Sequence, residues 1–257
     1  MYKLRDWIPL EKLDWRRLSC NPNAVELLEK NLDKVNWRWL SLNPEAIYLL
    51  ETNPDKIDWD YLSMNSGAIR LLEKNLDRIN WEALSANEGA IELLERCPRM
   101  IHWTCLSTNP AAIHLLSQRL EHACWYTLSA NPAAIKLLES NPEEIDWDNL
   151  STNPAAIHLL EANTDKIEWF HLSQNPKAIH LLQENINDIG WFQLSENPGA
   201  MELLQQFPHK IKWDWLSSNP SIFEYDYERM AYEKSLLHAD LFATVYHYDN
   251  FKRLVIN

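Results

Sequence analysis

Residues 37–58 read WRWLSLNPEAIYLLETNPDKID, and the next residue is tryptophan again. The same sentence is spelled along almost the whole chain. Tryptophan recurs every 22 residues from Trp15 to Trp213, with leucine three positions on (Leu18 to Leu216) and serine next (Ser19 to Ser217). Asparagine follows two further on, from Asn21 to Asn219, and proline succeeds it in every copy except those with Ser66 and Glu88. Self-similarity at a fixed period of this length marks a stacked repeat architecture.

Each fixed position has a physical task. The asparagine reads as an N-cap, its side-chain oxygen accepting an otherwise orphaned backbone N–H. Proline at the first helical position has no N–H to lose. The helix it opens runs over 22–29 in the first copy, and Ala24, Val25, Leu27 and Leu28 cover a band about 160° wide, which calls for a neighbour on each side. Asn31 and its equivalents suit a left-handed helix end. A second, shorter helix starts at each tryptophan. Asp14, Asn36, Asp58, Asn80 and Asp146 precede it as caps, whereas His102, Cys124, Glu168 and Lys212 lack that cap chemistry. One copy cannot bury its own apolar band, so stability must come from stacking.

The fold class this implies is all-α: an α-solenoid of about ten stacked 22-residue two-helix repeats with helical caps. The expected layout is an N-terminal cap at 1–14, the repeat solenoid at 15–221 and a C-terminal helical cap at 222–257. A right-handed coiled coil or a string of lipid-surface helices is excluded by the recurrent Asn-Pro breaks. A leucine-rich horseshoe is disfavoured because A-I-x-L-L has helical spacing.

Composition narrows the function classes. The formal net charge is −13, which repels phosphate backbones and anionic membrane, so neither nucleic acid nor membrane is an expected partner. Four glycines in 257 residues leave no phosphate-cradling loop. Cys20, Cys97, Cys105 and Cys124 form no C-x-x-C pair and read as reduced thiols, and no secretory leader or membrane-length apolar run opens the chain. The expected setting is cytoplasmic.

The run L-S-x-N-P-x-A-I-x-L-L-E-x-N-x-D-K-I-D resembles an ankyrin repeat without its β-hairpin loop. W-x-x-L-S-x-N-P more closely resembles a family of tandem repeat proteins encoded by giant DNA viruses, as do the opening 1–8 and the stretch 219–226. That resemblance implies an infected cell's cytoplasm or a virion, and implies no activity.

No catalytic motif is present, and no enzyme, cofactor or metal is expected. His114, His158 and His180 share one outward helix position, but stacked copies about 10 Å apart cannot give two ligands to one ion. His238, Asp240 and His247 read as polar groups on a capping helix, whose expected inner face is Met230, Leu236, Leu237, Leu241, Val245 and Tyr248. Cys97, Arg119, Ala123 and Cys124 depart from the pattern, which reads as drift or as a bend.

Binding is expected where residues vary on a fixed frame, namely the two positions after each tryptophan. Arg16, Arg17, Arg38, Trp39, Asp60, Tyr61, Tyr126, Phe170, His171, Phe192 and Gln193 are the candidate partner-binding residues, rich in the types that dominate interface hot spots. Trp39 and Trp215 read equally well as groove or as core. On an ankyrin-like frame these positions line a groove, basic at its start and aromatic later. The expected function is a protein–protein interaction scaffold, monomeric and gripping a host or viral protein. The alternative is a structural virion component that self-associates or binds capsid proteins.

Overall fold

The computed structural model describes residues 1–245, and it is an all-α solenoid with one short strand pair. Two compact units divide the chain: residues 9–222, and residues 1–8 with those from 223 onward. In the first of these, copies two to six each contain four short helical pieces, while copies one, seven, eight and nine keep both helices but only one 3-10 turn. In the third copy they are the first helix Trp59–Ser63, a 3-10 turn Ser66–Ala68, the second helix Ile69–Glu73 and a 3-10 turn Leu76–Arg78. Leu62, Ala68 and Leu72 are fully buried, and so are their equivalents around the repeat.

The asparagine does more than cap. Its Oδ1 accepts the N–H two residues on, as Asn65 does from Gly67. Its Nδ2 also donates to two carbonyls of the preceding copy: Asn65 to Ser41 at 2.9 Å and to Asn43 at 3.0 Å. The serine is equally committed. Ser41 Oγ donates to the Trp37 carbonyl and accepts the Asp58 N–H of the next copy. Both residues are buried, so every polar atom they bring inside is matched. The ladder runs unbroken through the irregular copies, as Asn109, Asn131 and the His102 and Cys124 amides show. Cys97 and Arg119 adopt the backbone of the asparagine that they replace, so no bend forms there.

Helix ends differ from expectation. Among the described residues none has positive φ, so Asn31 and its equivalents are not left-handed. Instead, their amide reaches back: Asn31 Nδ2 donates to the Leu27 carbonyl at 2.9 Å and Asn53 to Leu49 at 2.9 Å. This satisfies an orphan carbonyl without a left-handed turn.

The solenoid has no free ends. Asn21 Nδ2 donates to the carbonyls of Ser217 at 3.1 Å and Asn219 at 2.9 Å. The Asp14 N–H donates to Ser217 Oγ at 2.8 Å. These are the bonds that join any two neighbouring copies, and they close residues 9–222 into a ring. The tenth copy is split between the two ends of this unit. Trp213–Leu216 and Pro220–Ile222 supply its first helix and turn, while Leu10–Lys12 supplies its last 3-10 turn. Lys12 Nζ then sits 4.8 Å from the Trp213 ring centroid, just as Lys34 sits 4.6 Å from Trp15 and Lys56 4.3 Å from Trp37. The expected N-terminal cap therefore belongs in part to the repeats, and stacking replaces capping at the end faces. The first helices and Asn-Pro turns of neighbouring copies approach more closely than the second helices do. In a closed ring, such elements occupy the smaller radius.

In the other unit, β1 (Tyr2–Leu4) pairs antiparallel with β2 (Phe223–Tyr225), and Tyr2 stacks on Tyr225. The helix Tyr227–Val245 follows. Met230, Leu236, Leu237 and Leu241, expected as its inner face, are exposed. A two-stranded ribbon is too small to cover that face. The side chain of Val245, and residues His247 and Tyr248, lie outside the described residues; His238 and Asp240 are exposed.

Candidate functional site

The first-helix rim carries the variable residues, and ring geometry sorts them by one rule. The residue after tryptophan in one copy meets two residues of the next: the one that precedes its tryptophan and the second one that follows it. Arg38 illustrates the rule, its Nε 3.3 Å from Asp58 and its guanidinium 4.7 Å from the Tyr61 ring centroid. Phe192 does the same with Lys212, at 4.7 Å, and Trp215, edge to face at 5.9 Å. Asp60 accepts from Asn80 Nδ2 at 2.9 Å. Arg16 lies 5.8 Å from the Trp39 ring centroid. At Gly190, a Cβ would stand 2.9 Å from both the Phe170 ring and Gln193 Oε1, so the phenylalanine of one copy occupies the space where the next has lost its side chain.

The rule also separates the candidate residues. Those directly after tryptophan, Arg16, Arg38, Asp60, Tyr126, Phe170 and Phe192, are exposed. Those one further, Arg17, Trp39, Tyr61 and His171, are half-buried, and Gln193 is buried. The second set forms a stacked row between copies. Arg17 lies 4.0 Å from the Trp215 ring centroid and 5.9 Å from that of Trp39, and Trp39 packs on Tyr61 at 6.3 Å. Trp39 and Trp215 therefore hold neighbours together while keeping an open edge. Arg17 is anchored by Glu196 at 2.6 Å, and Ser218 Oγ donates to the same carboxylate at 2.9 Å.

Closure changes the expected polarity. The basic start and the aromatic later part are not opposite ends of a groove but neighbours across the seam. Phe170, Phe192, Trp215, Arg17, Trp39 and Tyr61 fall on six consecutive copies across the seam, giving one basic-aromatic arc in which Asp214 and Asp60 are the exposed acidic residues. The opposite arc, from Glu82 to Asn149, is mostly polar, with Tyr126 its exposed aromatic.

Caps also differ from expectation. Glu168 Oε2 accepts the His171 N–H at 2.8 Å, because its longer side chain still reaches the helix start. His102 Nδ1 accepts the Cys105 N–H at a long 3.4 Å. Cys124, Gly190 and Lys212 provide no side-chain cap bond.

The second helices carry a different ladder. His114, His158 and His180 each face a glutamate of the preceding copy, Glu95, Glu139 and Glu161, at 3.0–3.1 Å. Tyr48 makes the same reach to Glu29, and burial followed by that hydrogen bond pushes its hydroxyl up to about 12. These are paired surface groups between copies.

Sequence reading missed one cluster. Glu82, His102 and Cys105 obey the rim rule, and one donor atom from each lies within 4.8 Å of the other two. Cys105 Sγ is 4.0 Å from Glu82 Oε1, and burial, then this carboxylate, raises the thiol above its ordinary value. The signal was available in principle, but only at offsets of 20 and 23 residues that the neighbour's placement reveals.

No known protein family, characterised protein or solved structure is detectably similar to the chain. Among the described residues, no helix is long and apolar enough to cross a membrane.

Proposed function

We propose that the ring is a protein-binding platform whose contact surface is the rim arc from Phe170 across the seam to Tyr61. The observation that carries this reading is the pairing of exposed Phe192, Arg16 and Arg38 with half-buried Trp215, Trp39 and Tyr61, beside exposed Phe170. Aromatic and arginine side chains already held in place by stacking lose little entropy on binding, the condition for hot spots. Basic groups on a chain of charge −13 favour a partner segment that brings carboxylates to the arc. The other reading, a structural virion component that self-associates or binds capsid proteins, would have to use a surface other than the end faces, because the tenth copy stacks on the first. The resemblance to giant-virus repeat proteins would place the partner in a host cell or a particle.

The test is affinity capture from cells with the wild-type chain, Arg16→Glu/Arg38→Glu, Phe170→Ala/Phe192→Ala and a second-helix control, Lys136→Glu. Partners lost from both rim variants but retained by the control are the expected result. Equal recovery with all four would contradict the proposal. Arg17 is left intact because it holds the seam.

A further inference from the structure

We propose that Glu82, His102 and Cys105 form a zinc site between the fourth and fifth copies of the ring. The rim rule generates ten three-residue sets, one per junction. Most are filled by groups that satisfy one another without a ligand: Arg38 with Asp58 and Tyr61, or Phe192 with Lys212 and Trp215. The set at the fourth junction is of another kind, because a carboxylate, an imidazole and a thiol converge there.

Two further observations set it apart. Asp14, Asn36, Asp58, Asn80 and Asp146 all offer a cap oxygen at 2.8–3.1 Å. His102 replaces that oxygen with a ring nitrogen at 3.4 Å, a poorer cap at a position that Cys124, Gly190 and Lys212 leave uncapped, so helix capping does not account for a histidine here. The second observation is distance. Tetrahedral zinc bonds sulfur at about 2.3 Å and nitrogen or oxygen at about 2.0–2.2 Å, which puts ligand atoms roughly 3.3–3.8 Å apart. The three donors already lie within 4.8 Å, and Glu82 and His102 are exposed, so side-chain rotation alone can close the remaining gap.

Thiolate with imidazole and carboxylate is a donor set that suits a borderline-soft divalent ion and does not suit magnesium or calcium. Binding releases the thiol proton to solvent as the sulfur–metal bond forms. Three protein ligands leave one coordination position, which the exposed side of the cluster opens to water or to a donor from outside. The His–Glu pairs of the second helices supply no thiol, so a sulfur-specific signal separates the two kinds of site.

The experiment is a titration of the intact chain with Co²⁺, read by the near-ultraviolet thiolate-to-metal charge-transfer band, followed by displacement with Zn²⁺. One equivalent with a charge-transfer band, abolished in Cys105→Ala and weakened about 100-fold in Glu82→Gln or His102→Asn, is the expected result. His102→Asn restores the cap residue used at Asn36 and Asn80, so folding is preserved while the ligand is removed. A band that survives Cys105→Ala, or that vanishes instead in Cys97→Ala or Cys124→Ala, overturns the site. So does the lack of any band with the fold intact by circular dichroism.

Discussion

The first and second copies of the repeat are joined by the chain, which runs from one into the other through the turn before Trp37. The first helix and turn of the tenth copy meet the first copy without that continuity, because they arrive from residues about 200 positions away from the Leu10–Lys12 turn that the chain joins to Trp15. The bonds are nevertheless the same. Asn43 donates to Ser19 and Asn21 at 3.1 and 2.9 Å, and Asn21 donates to Ser217 and Asn219 at 3.1 and 2.9 Å. Matching geometry at a covalent and a non-covalent junction implies that local asparagine and serine bonding, not chain connectivity, sets the rotation between copies. Ten identical rotations then complete one turn. A split tenth copy further means that the ring closes only if its two ends find each other, which costs loop-closure entropy that internal junctions do not bear.

The sharpest way to break the equivalence is at the asparagine ladder. Asn109→Ala leaves the buried Ser85 carbonyl and one helix N–H without partners and removes one of the two donors to the Asn87 carbonyl, a loss of about 3–5 kcal/mol. Asn21→Ala is expected to cost the same, measured by denaturant unfolding. If the seam were open, only the cap would be lost and the cost would fall to about 1 kcal/mol.

Cys20 reports on the seam by titration. Burial, the largest cause, pushes its thiol up to about 11, with Arg17 opposing and Glu196 adding to the rise. A thiol whose value is raised on folding contributes fully below pH 9, and that contribution disappears as pH rises from 9 to 11, because only the unfolded chain ionises there. Stability is expected to fall by on the order of 2 kcal/mol across this window, and Cys20→Ala should flatten the fall. An unchanged slope in the variant would show that the thiol is not sequestered.

The smallest effect concerns the arginines. Arg17 is held by Glu196 and by two tryptophans and is 15% exposed in its side chain, whereas Arg38 is 63% exposed. Arg17→Ala is expected to cost about 1 kcal/mol, and Arg38→Ala less than about 0.5. Equal losses in thermal melts would indicate that the seam pair contributes nothing special.

How much of this the residues disclosed depends on the range of the interaction. The period, the Asn-Pro helix start and most first-helix caps were legible because each is decided within one copy. The Asn21 amide was half legible: its oxygen acts locally, but its nitrogen acts on the previous copy. Closure was hidden for the same reason, since an open and a closed stack use the same 22 residues and differ only in a small rotation per junction. One trace existed, the match of Leu10, Glu11 and Lys12 to Leu32, Asp33 and Lys34, which marks the opening segment as the end of a copy that begins elsewhere. The binding candidates were found by variation alone; their division into exposed and stacked sets, and the cluster at Glu82, His102 and Cys105, follow from how one copy is set against the next.

Spin-label distance measurement decides the ring most directly. In a background lacking the four native cysteines, labels at 33 and 209 span two junctions across the seam, and labels at 77 and 121 span two internal junctions. All four positions are exposed; 77, 121 and 209 lie on 3-10 turns and 33 on the equivalent turn of the first copy. Superimposable distance distributions for the two pairs are the predicted result. A distribution for 33 and 209 centred far beyond that of 77 and 121, as eight stacked copies about 10 Å apart would give, would contradict it.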